Sequence, residues 1–101
     1  MEHRPTKRRE RTELYAEILE VVKRYHGRAR VTRLSYAVGM PVDRLKSAIE
    51  RLIGLDLLHG EEFGGLVMYD ITPRGQQFLD TYWKMRAFTD LLEGEVPPGP
   101  R

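Results

Sequence analysis

"VGMPVDRLKSAIERLIGLDLL", residues 38–58, combines a glycine- and proline-containing turn with a run of apolar residues at helical spacing. From Val42 onward, Val42, Leu45, Ile49, Leu52 and Ile53 recur at the spacing of one helix face, a core face. Asp43, Arg44, Lys46, Ser47, Glu50 and Arg51 take the other side. Gly39-Met40-Pro41 forms a turn ahead of the helix, and Pro41 is tolerated in the first turn because its missing N–H would be unpaired there anyway. The helix therefore spans 42–53. Its polar face carries cations, a small hydroxyl and only two acids, the composition of either a solvated face or a binding face.

Upstream, Thr32–Val38 reads as a short helix with Thr32 as its N-cap, burying Leu34 or Tyr36 with Ala37 and Val38. Two helices joined by a tight glycine-containing turn make a helix-turn-helix unit. Before it, Glu13–His26 places Leu14, Ile18, Val21, Val22 and Tyr25 on one stripe and Tyr15 and Leu19 beside it, so this helix touches two neighbours. Gly27 supplies its stop.

Downstream, Leu55–Gly60 and Leu66–Thr72 read as two short strands joined by Glu61–Gly65, in which Gly64-Gly65 provides the backbone freedom of a hairpin. In "ITPRG", Thr72 caps and Pro73 opens a last helix, 73–93, about 30 Å long at ~1.5 Å per residue. Phe78, Leu79 and Tyr82 are expected to cover the first helix. Further along, Tyr82, Trp83, Met85, Phe88, Thr89 and Leu92 supply more apolar surface than one small domain needs, and a second copy of the chain is the simplest cover.

The 101 residues fit one domain, expected at 12–93, between a basic arm at 1–11 and a proline- and glycine-rich tail at 94–101 expected to be disordered. Charge is sorted along the chain: residues 1–51 hold thirteen Lys/Arg against seven Asp/Glu, and residues 52–101 hold four against eight. Such sorting points to a polyanion met by one part of the molecule. With no cysteine there is no disulfide framework, thiolate zinc site or cysteine nucleophile. No apolar run approaches a membrane span and Met1–Arg11 lacks a secretory signal, so a cytoplasmic protein is expected.

Catalytic signals are missing. His3, His26 and His59 are too dispersed for a metal motif, Gly64-Gly65 lacks the helix and lysine of a P-loop, and Ser35 and Ser47 have no identifiable His and acid partners. No enzyme activity, cofactor or small-molecule substrate is implied.

The order helix, helix-turn-helix, hairpin, long helix gives an α+β, mostly helical fold and resembles a winged helix. "LSYAVGMPVDRLKSAIERLIGLDLL" followed by "YDITPRGQQFL" is similar to the small archaeal winged-helix DNA-binding proteins of the chromatin or transcription-regulator type, over about residues 10–92. The resemblance implies a nucleoid-associated homodimer on double-stranded DNA, with its terminal helices paired as an antiparallel coiled coil. It makes helix 42–53 the recognition helix and the hairpin a wing. Arg44, Ser47 and Arg51 then form one ridge, with Arg44 and Ser47 toward base edges and Lys46 and Arg51 toward phosphates. Asp43 reads a cytosine amino group or pairs with a neighbouring cation. Arg28, Arg30 and Arg33, with the arm residues Arg4, Lys7, Arg8, Arg9 and Arg11, add positive charge.

The wing departs from the basic type. It carries Glu61 and Glu62 with Phe63, Gly64 and Gly65 at the tip. Its acidity supports a rival expectation, a winged-helix module that docks on transcription machinery through the hairpin and the terminal helix.

Overall fold

The computed structural model describes residues 10–93. In chain order these form α1 (Arg11–Arg24), α2 (Val31–Val38), α3 (Val42–Gly54), β1 (Leu58–Phe63), β2 (Leu66–Ile71) and α4 (Pro73–Leu92). The arm residues Arg4, Lys7, Arg8 and Arg9 and the tail from Gly94 lie outside the described residues.

The core sits around α1, whose two adjacent stripes bury Tyr15, Ala16, Ile18, Leu19, Val21 and Val22. Leu34 and Val38 of α2, Leu45, Ile49 and Leu52 of α3, Leu57 and Leu58 at the start of the ribbon and Leu79 of α4 close on it. Each fully buried leucine contributes on the order of 1.5–3 kcal/mol. α1 begins two residues before the expected start and ends at Arg24, because His26 and Gly27 both take the left-handed conformation (φ 53° and 80°). This turn swings the chain so that Ala29 pairs with β2, with the Tyr69 N–H donating to the Ala29 carbonyl at 2.9 Å.

Several local expectations need correction. Thr32 does not cap α2; it lies inside the helix, and Arg30 is the N-cap residue. Leu34 is the buried alternative while Tyr36 is 90% exposed and Ala37 is exposed too, since α2 turns Val31, Leu34 and Val38 inward. On α3 the buried face is centred nearer Ala48, which leaves Ile53 at its edge and 42% exposed. Pro41 is the N-cap of α3, and its carbonyl accepts from the Leu45 N–H at 2.9 Å.

The first strand is displaced by three residues from its expected start. Asp56 adopts φ 63°, and Leu57 donates back to the Leu52 carbonyl at 2.9 Å, so residues 55–57 are a helix-terminating turn. Glu61, Glu62 and Phe63 are not loop but strand, paired with Met68, Val67 and Leu66. The reason is the economy of the turn. Gly64 and Gly65 at φ 55° and 86° provide the two positive φ angles of a type I′ turn, so the antiparallel ladder runs up to the Phe63–Leu66 pair.

Thr72 begins α4 as expected: its hydroxyl accepts from the Gly75 N–H at 2.9 Å and donates to the Asp56 carbonyl at 2.7 Å. Gly75 is buried against the Leu57 carbonyl, where no side chain fits. Leu79 is the last fully buried residue of α4, and Phe78 and Tyr82 pack partly on the core. Beyond Arg86 the helix makes no further contribution to this core.

Candidate nucleic-acid interface

The turn that presents α3 is held by one residue. Ser35 accepts from the Gly39 and Met40 N–H groups through its carbonyl, at 2.9 and 3.1 Å, and its hydroxyl donates to the Met40 carbonyl. Gly39 takes φ 75°, a left-handed C-cap conformation that suits glycine. Three bonds from one serine thus fix where α2 stops and α3 starts.

Asp43, Arg44, Lys46, Ser47, Glu50 and Arg51 are all exposed, but they do not form one uniform face. At about 100° per residue, Arg44, Ser47 and Arg51 fall along one edge of the exposed arc, and Lys46, Glu50 and Asp43 along the other. The surroundings match this split. Arg44, Ser47 and Arg51 line an open cleft of about 700 Å³ whose far wall is the start of α1, with Arg11, Leu14 and Tyr15, and whose end is the Gly39-Met40-Pro41 turn. Glu50 faces the wing instead: the Tyr69 phenol is raised above its ordinary pKa, first by burial and second by the negative charge of Glu50.

Among the described residues, Arg11, Arg44 and Arg51 form no ion pair or side-chain hydrogen bond. Like charges gathered without counter-charge repel, by about 0.5 kcal/mol per pair at ~8 Å in water-like surroundings, and an anion in the cleft reverses that sign. Arg11 belongs to α1 and not to a separate arm. The signal for its placement was present, since Arg11, Leu14 and Tyr15 share a helix face; it was missed because the apolar pattern begins only at Leu14.

Arg28, Arg30 and Arg33 do not line this cleft. Arg33 stands over the Tyr25 ring at 5.6 Å, and Arg30 is exposed at the start of α2. Arg28 lines a hollow beside the wing together with Glu61 and Asp70 and so shares its surroundings with two carboxylates.

Strand alternation separates the wing acids. Glu61 lies on the face of His59, Phe63, Met68 and Asp70, and Glu62 on the face of Gly60, Val67 and Tyr69. Phe63, Leu66 and Val67 expose apolar surface around the Gly64-Gly65 turn.

On α4, the residues expected at an interface between copies divide into two groups. Tyr82 and Trp83 lean toward α1, with the Trp83 indole N–H donating to Glu20 Oε1 at 3.2 Å and the Tyr82 hydroxyl accepting from Arg86 at 2.7 Å. Phe88 and Leu92, 63% and 83% exposed, have no cover, and Met85 and Leu91 are exposed beside them. Thr89 donates to the Met85 carbonyl at 2.9 Å within its own helix. Among the described residues there is no cluster suited to a metal ion, and no helix is long and apolar enough to cross a membrane.

Several solved structures share this architecture. Sso10a-2, a DNA-binding protein from Sulfolobus solfataricus, superposes with a TM-score of 0.62 at 17% identity, over 86% of this chain and 100% of that one. A MarR-family transcriptional regulator from Silicibacter pomeroyi gives 0.65 at 21% identity over 83% of this chain and 59% of its own. RV1404 from Mycobacterium tuberculosis gives 0.63 at 17% identity over 83% and 60%. The chain thus spans about 60% of the length of the last two proteins. No curated protein sequence matches it. These likenesses establish a fold shared with the small archaeal DNA-binding type expected from the sequence. Residues 8–90 also match the sequence profile of the winged helix-turn-helix family, most of the chain, and with the helix-turn-helix, wing and terminal helix in place the chain belongs to that family.

Proposed function

We infer that this protein binds double-stranded DNA as a homodimer and acts as a transcription regulator or chromatin protein at the nucleoid, without enzymatic activity. One observation carries the reading. The exposed edge of α3 presents Arg44, Ser47 and Arg51 with no side-chain partner among the described residues, on a helix that follows the Ser35 turn. A helix of this kind fits the major groove, and arginine is the side chain best matched to guanine and phosphate acceptors.

Dimerisation rests on the uncovered end of α4. Phe88 and Leu92 lie along the same helical stripe as Met85, past the last contact with the core. A pair of recognition helices related by a twofold axis reads two half-sites about 34 Å apart.

The test is a fluorescence-anisotropy titration of a mixed-sequence duplex at two salt concentrations with wild type and Arg44→Ala/Arg51→Ala. Binding that weakens with salt and is lost in a folded double mutant is the expected outcome. Equal affinity of the two proteins overturns the reading.

The acidic, apolar wing favours a second reading. Glu61, Glu62 and Phe63 suit a basic, apolar protein surface better than a phosphate backbone. A wild type that stays monomeric and shows no duplex affinity at low salt shifts the assignment to a protein-docking module.

A further inference from the structure

We propose that the cleft between α1 and α3 is a phosphate clamp, in which Arg11 joins Arg44 and Arg51 to hold phosphate oxygens. The proposal deepens the DNA-binding reading and rests on it for the source of the phosphate. It also assigns Arg44 to the backbone, whereas the winged-helix resemblance turned that residue toward the bases.

Four features support the clamp. Among the described residues, all charged side chains lining the cleft are guanidinium groups, so the wall they form carries three positive charges and no carboxylate. Each is free to make a bidentate fork, because none has an ion-pair or hydrogen-bond partner among the described residues. The Ser47 hydroxyl adds a neutral donor between Arg44 and Arg51, which stand seven residues and about 10 Å apart along the helix, enough to follow more than one phosphate. Gly39 at the turn end has no side chain and nothing near its Cβ position, so the mouth stays open.

A DNA backbone and a free nucleotide or pyrophosphate present the same oxyanion chemistry. Duplex titrations of wild type, Arg11→Gln, Arg44→Ala/Arg51→Ala and the control Lys84→Gln, an exposed α4 residue outside the cleft, separate the possibilities, with circular dichroism confirming the fold of each. Arg11→Gln is expected to weaken binding about five- to tenfold, on every duplex sequence, and to make the salt slope shallower by about one, with Lys84→Gln unchanged. An Arg11→Gln protein that binds like wild type, while the double mutant does not, overturns the clamp and leaves DNA binding through α3 standing. Should wild type bind no duplex, the DNA reading falls, and pyrophosphate becomes the probe. Saturable amide shifts at Gly39 and Ser47 that vanish in Arg11→Gln support the clamp with a soluble phosphate as its ligand. Their absence overturns it.

Discussion

The Ser35 hydroxyl donates to the carbonyl of Met40 across the α2–α3 turn, while the Ser35 carbonyl accepts from the Gly39 and Met40 N–H groups. The side chain therefore adds one bond to the two that the Ser35 backbone makes in the turn ahead of α3. Ser35→Ala removes one partly buried bond, at a cost of about 1 kcal/mol, and is expected to lower the melting temperature by roughly 4–8 °C. Duplex affinity should fall with it, because the turn ahead of the α3 ridge is then held by one bond fewer. Thr32→Ala, on the exposed side of the same helix, is the control and should melt like wild type within experimental error.

Two glycines test the packing at opposite extremes. A Cβ on Gly75 would meet the Leu57 carbonyl oxygen at 2.1 Å and Ile71 Cγ1 at 2.8 Å, and the same residue donates to the Thr72 cap. Gly75→Ala should cost ~1–3 kcal/mol or more through overpacking, read as a lower urea midpoint. Gly54, at the end of α3, has nothing within 4 Å of the Cβ position. Gly54→Ala should leave stability unchanged or raise it by about 0.4–1 kcal/mol, by reducing the freedom of the unfolded chain.

The exposed end of α4 predicts the assembly state. Phe88→Glu and Leu92→Glu should each convert a dimer to a monomer in light scattering while preserving the helical circular dichroism signal, because neither side chain contributes to the domain core. A wild type that is monomeric at high micromolar concentration contradicts the dimer.

The two wing acids should differ in effect. Glu62 lies on the strand face of Tyr69, which looks toward α3, and Glu61 lies on the opposite face with His59 and Arg28. Glu62→Lys is expected to tighten duplex binding and steepen its salt dependence by about one in the logarithmic slope. Glu61→Lys should do less. Equal effects from the two would mean that the ribbon does not lie along the duplex as α3 implies.

Tyr69 links the wing to α3 electrostatically. Its phenol is raised by burial first and by the Glu50 charge second, so in an ultraviolet titration it should ionise after an ordinary tyrosine, and Tyr69→Phe should remove that late step. Glu50→Gln should move the step back only part of the way, since burial remains. A raised phenol stabilises the fold below the ordinary tyrosine pKa of about 10, and that stability is lost as pH rises through the folded-state value. Tyr69→Phe should therefore flatten the alkaline decline in melting temperature.

What the sequence determined by itself was the order of elements and most of the core. Leu45, Ile49 and Leu52 recur at helical spacing, Thr72-Pro73 marks a helix start and Gly64-Gly65 marks a turn, and all of these are local signals that act within a few residues. Local signals did not settle the length of the ribbon, because Glu61, Glu62 and Phe63 belong to a strand only through their partners on β2. Nor did they place Tyr36 outside, or bring Arg11 to Arg44 and Arg51, which lie at least 33 positions further along the chain. Those outcomes belong to the tertiary structure: α1 and α3 both pack on α2, which sets the two sides of the cleft where these charges meet, and charge meets charge through space, not along the chain.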